Sequence, residues 1–376
     1  MKKLYFLFIR EYKAKYITIF SLLFILLFGT FHTFSWFLYT KGILVSDNGK
    51  NIGDLVRITC ETSSSYPREI KNTLKERHHE AYEWDSKKVD ILTIGDSFSN
   101  GGGNGENRFY QDYIATIYDK KVLNIAPSTT ELNYIEMVIA LNNNGLLDML
   151  KPKIIIIESV ERFAVHRFSK DINFEYNITQ EQFLQNMKHS IYNVDKAKIK
   201  HNISIINKRN YDCVLNPIYY KFTKKSIDKN KLVYKRELKR DMFLTKEANK
   251  LLFLKESIDF IQNSTNEKIK KLNNNINKLA KILKNKDISL IFMVVSDKYD
   301  LYSSYIKNNN LAKNNFFNIM ESLKKEYYFI DTKSILLPLL EDRKNVYFPD
   351  DTHWSKIAAK EVVLHMPIKT IFNDKK

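Results

Sequence analysis

Gly95-Asp96-Ser97-Phe98-Ser99 follows directly on the apolar run Val89 to Ile94. A serine there sits at the carboxyl end of a buried strand, where open α/β sheets place their sites. Its hydroxyl is a poor nucleophile until a neighbouring base takes the proton. Its backbone N–H, near the start of a following helix or loop, can help hold an oxyanion. Gly-Asp-Ser alone is common and marks an ordinary strand-to-loop turn. A partner stands near the other end of the chain, in Asp350-Asp351-Thr352-His353-Trp354-Ser355. A histidine just before a last helix can face a serine at the sheet edge, and a nearby carboxylate can fix its tautomer and stabilise the imidazolium. The plain alternative is that Asp351 or Thr352 caps that helix and His353 is incidental. Capping and catalysis are compatible, and both halves in one chain favour a catalytic Ser97–His353 pair, with a carboxylate of the histidine segment behind it.

The elements that must position these residues read as strands alternating with helices. Val89–Ile94, Lys121–Ile125, Lys153–Glu158, Ile288–Val295 and Tyr327–Asp331 have the composition of strands, and Lys153–Glu158 is apolar on both faces, as central parallel strands are. Helical spacing runs over Phe109–Tyr118, over Glu131–Leu150 as one helix, and from about Ser355 to His365. Ile269, Leu272, Ile276, Leu279 and Leu283 recur at steps of three and four, which predicts a long helix packed on the sheet. The fold class expected is α/β, a parallel sheet flanked by helices. Residues 165–250, rich in Lys, Asn and Tyr, break the rhythm and read as an insertion without a strand series.

No charged residue occurs from Tyr16 to Tyr39, and roughly 20 apolar residues suffice for a membrane-crossing helix. Lys2, Lys3, Arg10, Lys13 and Lys15 precede the stretch against a lone Glu11, which keeps the N-terminus in the cytoplasm. The run is long for a cleaved signal peptide and no A-x-A-like site follows. The expected organisation is a basic cytoplasmic tail (1–15), a transmembrane signal anchor (16–39), a stalk (40–87) and an extracytoplasmic domain (88–372). The net charge of +17 admits an anionic membrane or polymer as partner, or a plain Lys/Asn bias. No nucleic-acid-binding signature accompanies it, so nucleic acid is not an expected partner. Cys60 and Cys213 match no metal-ligand spacing; they read as unpaired thiols, with a single disulfide between them in an oxidising compartment as the alternative. No metal cluster or nucleotide loop is visible; Gly101-Gly102-Gly103 lacks the P-loop lysine, and no cofactor is expected.

Gly-Asp-Ser near the start with Asp-x-x-His near the end resembles the SGNH hydrolases, whose sheet is flavodoxin-like. More narrowly, Gly95 to Ser99 and Asp351-Thr352-His353-Trp354-Ser355 resemble the motifs of the alginate O-acetyltransferases and their SGNH-like relatives. Val294-Val295-Ser296-Asp297-Lys298 is similar to their Pro-Asp-Lys segment, with Ser296 in the proline's place, and Glu158 to Arg162 to their Glu-Arg segment. The resemblance covers roughly residues 88–165 and 285–365. In the alginate enzymes the Asp-x-His motif precedes the serine; here it follows. The resemblance implies oxyanion donors in a second and a third block. Counting from Asn124 puts Thr129 where a glycine is usual, and counting from Glu158 puts Arg162 where an asparagine is usual, so Asn124, Thr129 and Arg162 are the oxyanion or substrate candidates. Arg162 can instead bind an anionic polymer, or simply pair with Glu158 or Glu161. Asp350 has the general SGNH spacing to His353 and Asp351 the acetyltransferase spacing; Asp351 is the preferred triad acid and Asp350 the alternative.

The resemblance implies a two-step acyl transfer on a cell-surface or exported polysaccharide, as an O-acetyltransferase of the cytoplasmic (inner) membrane with its domain on the periplasmic side. It also implies an integral-membrane protein that supplies acyl groups. Two other outcomes stay open: an SGNH esterase or deacetylase, and a non-catalytic polysaccharide-binding subunit.

Overall fold

A computed structural model of the chain describes residues 2–40, 53–59, 64, 66, 74–85, 87–100, 109–126, 133–186, 222 and 232–373. Thr129, Cys60 and Cys213 lie outside the described residues. The first helix, α1 (Lys2–Thr40), contains the stretch Tyr12–Phe34, 23 residues of mean hydropathy 2.0, long and apolar enough to span a membrane. At 1.5 Å per residue it measures about 34 Å, against a hydrocarbon core of about 30 Å. Its apolar side chains face outward, and the Thr18 and Thr30 hydroxyls donate one turn back to the Ala14 and Leu26 carbonyls.

The described strands, in chain order, are β1 (His79–Glu80), β2 (Ile91–Ile94), β3 (Val122–Ile125), β4 (Ile154–Val160), β5 (Val233–Glu237), β6 (Lys250–Leu254), β7 (Ser289–Val295) and β8 (Tyr328–Asp331). Six of them form one sheet in the order β1-β3-β2-β4-β7-β8, with every neighbouring pair parallel. From β2 the chain winds to β3 on one side and to β4 on the other. The strand order therefore reverses at β2, and a crevice opens at the carboxyl ends there.

Alternate residues of the central strands feed two cores, as the two-residue period requires. Leu92, Ile94, Ile155, Ile157 and Phe292 pack against α4 (Tyr134–Asn143) and the long helix Asn266–Lys284 on one face. Ile91, Ile154, Ile156, Ile291 and Met293 pack against α3 (Tyr110–Tyr118) and the helix Lys356–Leu364 on the other. The stripe Ile269, Leu272, Ile276, Leu279 and Leu283 is buried against the sheet face, as its spacing predicts.

Three local differences from the sequence expectation have clear causes. Glu131–Leu150 is not one helix: Gly145, at φ +80, ends α4 and starts α5 (Leu146–Leu150). Left-handed backbone of this kind is the usual place for glycine. The stretch expected as a stalk sends two pieces onto the domain. β1 adds an edge strand beside β3, held by His78, which sits between Asp112 (2.6 Å) and Glu80 (3.0 Å). The short helix α2 (Asp54–Thr59) buries Leu55 and Val56 against Leu252. Finally, the end of the expected insertion forms a β5–β6 antiparallel hairpin outside the main sheet, and α2 rests on it.

Candidate active site

Ser97 is presented by a turn whose path requires glycine at position 95. A Cβ at Gly95 would lie 2.1 Å from Ser99 Oγ and 2.3 Å from Glu158 Oε2, so the chain can leave β2 on this path only as glycine. The Asp96 carboxylate then latches the turn. It accepts from Phe98 N (3.2 Å), from Val160 N at the end of β4 (2.9 Å) and from Arg167 Nη1 (2.6 Å) in α6 (Glu161–Phe168). Burial opposes its charge, but Arg167 and those N–H donors outweigh it and hold the carboxyl below its ordinary value. Glu158 beneath the turn goes the other way: burial, then Asp96, pushes it well above the carboxylate range. Its Oε2 accepts from Asp96 N and Ser99 Oγ. Gly95, Asp96, Phe98 and Ser99 are buried while Ser97 is exposed. Among the described residues the Ser97 backbone N–H donates to no protein group, which leaves it available for an oxyanion.

His353 lies in a loop fixed at both ends and from below. Tyr347 and Trp354 form an antiparallel bridge, Phe348 N donates to the His353 carbonyl and Ser355 N to the Val346 carbonyl. Lys298, in the short helix Lys298–Tyr302 after β7, is fully buried. Its Nζ donates to the carbonyls of Phe348 (2.7 Å), Pro349 (3.1 Å) and Asp351 (2.9 Å). The Phe98 ring packs on the imidazole at 4.7 Å between centroids and on Trp354 at 5.1 Å. Ser355, not Asp351 or Thr352, caps the following helix, accepting from Ile357 N, so the latter two side chains are left for other partners.

This architecture brings Ser97, His353 and Asp351 together. His353 Nε2 is 2.6 Å from Ser97 Oγ and Nδ1 is 2.5 Å from Asp351 Oδ1, which also accepts His353 N at 3.0 Å. Burial disfavours a charged imidazole, but the Asp351 carboxylate, backed by Asp54, more than offsets it. His353 therefore sits above the ordinary histidine value, with Arg162 pulling it partly back. Such a set can take a proton from Oγ and stabilise the imidazolium that results.

Asp350 is directed elsewhere. It is fully buried, its Oδ2 accepts from Gly53 N (3.0 Å) and Tyr66 N (3.1 Å), and its carbonyl accepts from Leu55 N and Val56 N. Arg162 follows β4 and pairs with Asp297 (3.0 Å) and Glu256 (3.6 Å) rather than with Glu158 or Glu161. Its positive charge works against a charged His353 imidazole. Asn124 is buried in β3, donating to Glu80 and Asn100 and accepting from Thr93, which ties up its amide within the protein.

Asp54 is the group that sequence reasoning missed. Its Oδ1 accepts from Thr352 N (2.8 Å), its Oδ2 accepts from Thr352 Oγ1 (2.5 Å), and Oδ2 is 4.0 Å from His353 Nδ1. Nothing in its surroundings, a mixed polar stretch between the apolar helix and the first expected strand, marks it out. Ligand atoms of Asp54, Asp351 and His353 lie within 4.8 Å of one another. With Nδ1 engaged by Asp351 and Nε2 by Ser97, hydrogen bonding accounts for this grouping without an ion.

Neither a curated protein nor a solved structure matches the chain. A family model does, over residues 248–365: the SGNH hydrolase-like domain, acetyltransferase AlgX. The matched region begins just before β6 and takes in β7, Lys298, β8 and the whole histidine loop. With its parallel sheet and this match, the α/β domain is SGNH-like, similar over its C-terminal part to the domain of the AlgX acetyltransferases.

Proposed function

We propose that this chain is a membrane-anchored O-acyltransferase, an acetyltransferase acting on a cell-surface or exported polysaccharide, with Ser97 as nucleophile. The observation that carries the reading is the contact of His353 Nε2 with Ser97 Oγ at 2.6 Å, with Asp351 behind Nδ1. The family match supports acetyl transfer as the acyl chemistry.

Ser97 Oγ attacks the donor's carbonyl carbon as its proton moves to His353 Nε2. The Ser97 N–H faces the negative oxygen. Collapse expels the donor's leaving group, which takes the proton from His353, and leaves acyl-Ser97. A sugar hydroxyl then attacks the acyl carbon, losing its proton to His353, which returns it to Ser97 Oγ. Water in place of the sugar gives hydrolysis instead.

The apolar stretch of α1 supports one membrane crossing, and the basic residues before it favour a cytoplasmic N-terminus. The catalytic domain then lies on the extracytoplasmic side, the periplasm in a two-membrane cell. An integral-membrane protein that carries acyl groups outward fits as donor.

The full-length protein in detergent, given a chromogenic acetate ester and a soluble oligosaccharide, should release chromophore and acetylate the sugar. Ester hydrolysis unaffected by the sugar, with no acetylated product, would instead establish an esterase. No turnover at all would leave a binding subunit. A reporter fused after Lys376 should be active only if it works outside the cytoplasm; cytoplasmic reporter activity would overturn the topology.

A further inference from the structure

The segment between the apolar helix and the sheet does more than connect them. Four consecutive backbone N–H groups, Gly53 to Val56, all point at Asp350 and Asp351. Gly53 N donates to Asp350 Oδ2, Asp54 N to Asp351 Oδ2 (3.3 Å), and Leu55 N and Val56 N to the Asp350 carbonyl. These are the orphan donors of the first turn of α2, and the histidine loop satisfies them. The approach is close enough to require glycine: a Cβ at Gly53 would lie 2.1 Å from the Asp350 carbonyl oxygen. Leu55 and Val56, both buried, pin the turn to β6.

We propose that Asp54 is a positioning residue of the catalytic site, and that the membrane-proximal segment carrying it completes the Ser97–His353–Asp351 machinery. The inference rests on the serine-triad reading above. Asp54 receives both the N–H and the hydroxyl of Thr352, the residue between Asp351 and His353. It thereby fixes the backbone that sets Asp351 Oδ1 against Nδ1, and its own N–H holds the other Asp351 oxygen. Its carboxylate faces His353 Nδ1 at 4.0 Å as a second negative group, alongside Asp351 and opposed by Arg162. Thr352 Oγ1 completes that side of the imidazole at 3.4 Å.

The arrangement also limits where the site can be. Twelve residues, and so thirteen Cα-to-Cα steps, separate Thr40, the end of α1, from Gly53. At ~3.3–3.6 Å per residue, even a fully extended chain keeps Gly53 within about 45 Å of the helix end. A triad partly built from this segment is bound to remain near the bilayer, where an acyl donor held in the membrane can reach it.

The test uses the full-length protein in detergent with a chromogenic acetate ester, and measures kcat and KM across pH for wild type, Asp54→Asn, Asp54→Glu and Ser97→Ala. Asp54→Asn should lower kcat about 10- to 100-fold, since small misplacements of reacting groups have effects of that size. KM should change little. Loss of a negative charge about 4 Å from the imidazole should also move the acidic limb of kcat/KM down by about one pH unit. Asp54→Glu should recover part of both. A purely structural role would lower the melting temperature and leave the limb where it was. A folded Asp54→Asn enzyme with wild-type kcat and an unmoved limb overturns the proposal. If Asp54→Asn does not fold, Thr352→Val, which removes one donor to Asp54, takes its place, and the same pair of unchanged readouts refutes it. Ser97→Ala separates the two levels: full activity there refutes the triad itself, whereas an inactive Ser97→Ala beside an unaffected Asp54→Asn refutes only the role of Asp54.

Discussion

Replacing Lys298 by methionine keeps the length of the side chain and removes only its charge and donors. The ammonium is the shared partner of three main-chain carbonyls, those of Phe348, Pro349 and Asp351, at 2.7–3.1 Å. Methionine fills nearly the same volume, so no cavity forms. Each buried carbonyl that loses its donor costs roughly 1–3 kcal/mol. The Phe348 carbonyl keeps a second donor in Asp351 N (3.4 Å), and relaxation of the loop also favours the low end of that range, giving about 3 kcal/mol as the upper bound in total. For a domain of this size each kcal/mol corresponds to ~2–4 °C, so the melting temperature should fall by up to about 6–12 °C. The second effect is on chemistry. The three carbonyls bracket the turn that aims Asp351 and His353, and repacking to rehydrate them displaces Nε2 from Ser97 Oγ. A displacement near 1 Å lowers kcat/KM about 100-fold. Lys298→Arg should not restore it, because a planar guanidinium cannot converge on three carbonyls as a compact ammonium does. Differential scanning fluorimetry and ester-hydrolysis kinetics on the same detergent preparation measure both. A Lys298→Met protein with wild-type melting temperature and kcat/KM would show that the ammonium neither holds nor aims the loop.

Ser97→Ala should abolish turnover with no loss of stability, since the side chain is exposed; full activity by the ester assay would eliminate the serine mechanism. Asp351→Asn should lower kcat about 10⁴-fold by favouring the wrong imidazole tautomer. Asp350→Leu should instead lower the melting temperature by freeing Gly53 N and Tyr66 N, and thermal scans beside kinetics separate the two aspartates. Gly95→Ala should prevent proper folding, because its methyl would overlap Ser99 Oγ and Glu158 Oε2, and circular dichroism with a thermal scan reports it. His78 supplies a pH dependence of stability. Burial opposes its charge, but Asp112 and Glu80 outweigh it and raise its pKa from 6.5 to about 9. A group whose pKa is raised on folding stabilises fully below its unfolded value and loses that contribution as pH rises through the folded one. Up to about 3 kcal/mol should therefore disappear between pH 6.5 and pH 9. Chemical denaturation across that window should show the decline, and His78→Gln should flatten it.

What the sequence determined by itself are the features that depend on local pattern. The uninterrupted apolar runs Ile154–Ile157 and Leu290–Val295, short and rich in β-branched residues, read as strands buried on both faces, and the steps of three and four from Ile269 to Leu283 read as a helix with one buried stripe. The pairing of Gly95-Asp96-Ser97 with the distant Asp351-Thr352-His353 was legible because each motif carries its own turn chemistry on short-range residues. The break at Gly145 was also written in the sequence, as a glycine inside a helical pattern, but it takes the backbone at φ +80 to show that the helix stops there. Only the tertiary structure decided which aspartate meets the histidine. Asp350 and Asp351 are adjacent, and the difference lies in what faces them: Gly53 and Tyr66 on one side, His353 Nδ1 on the other. Asp54, Lys298 and His78 act through partners 298, 50 and 34 residues away, counting Thr352, Phe348 and Asp112 respectively. The contacts of Asp54 and His78 leave no periodicity and no motif in the chain, and the motif that contains Lys298 does not show which carbonyls its ammonium holds. These contacts exist because hydrophobic burial of the two sheet faces brings distant segments to one crevice, where each buried carboxylate, ammonium and carbonyl must then find a partner.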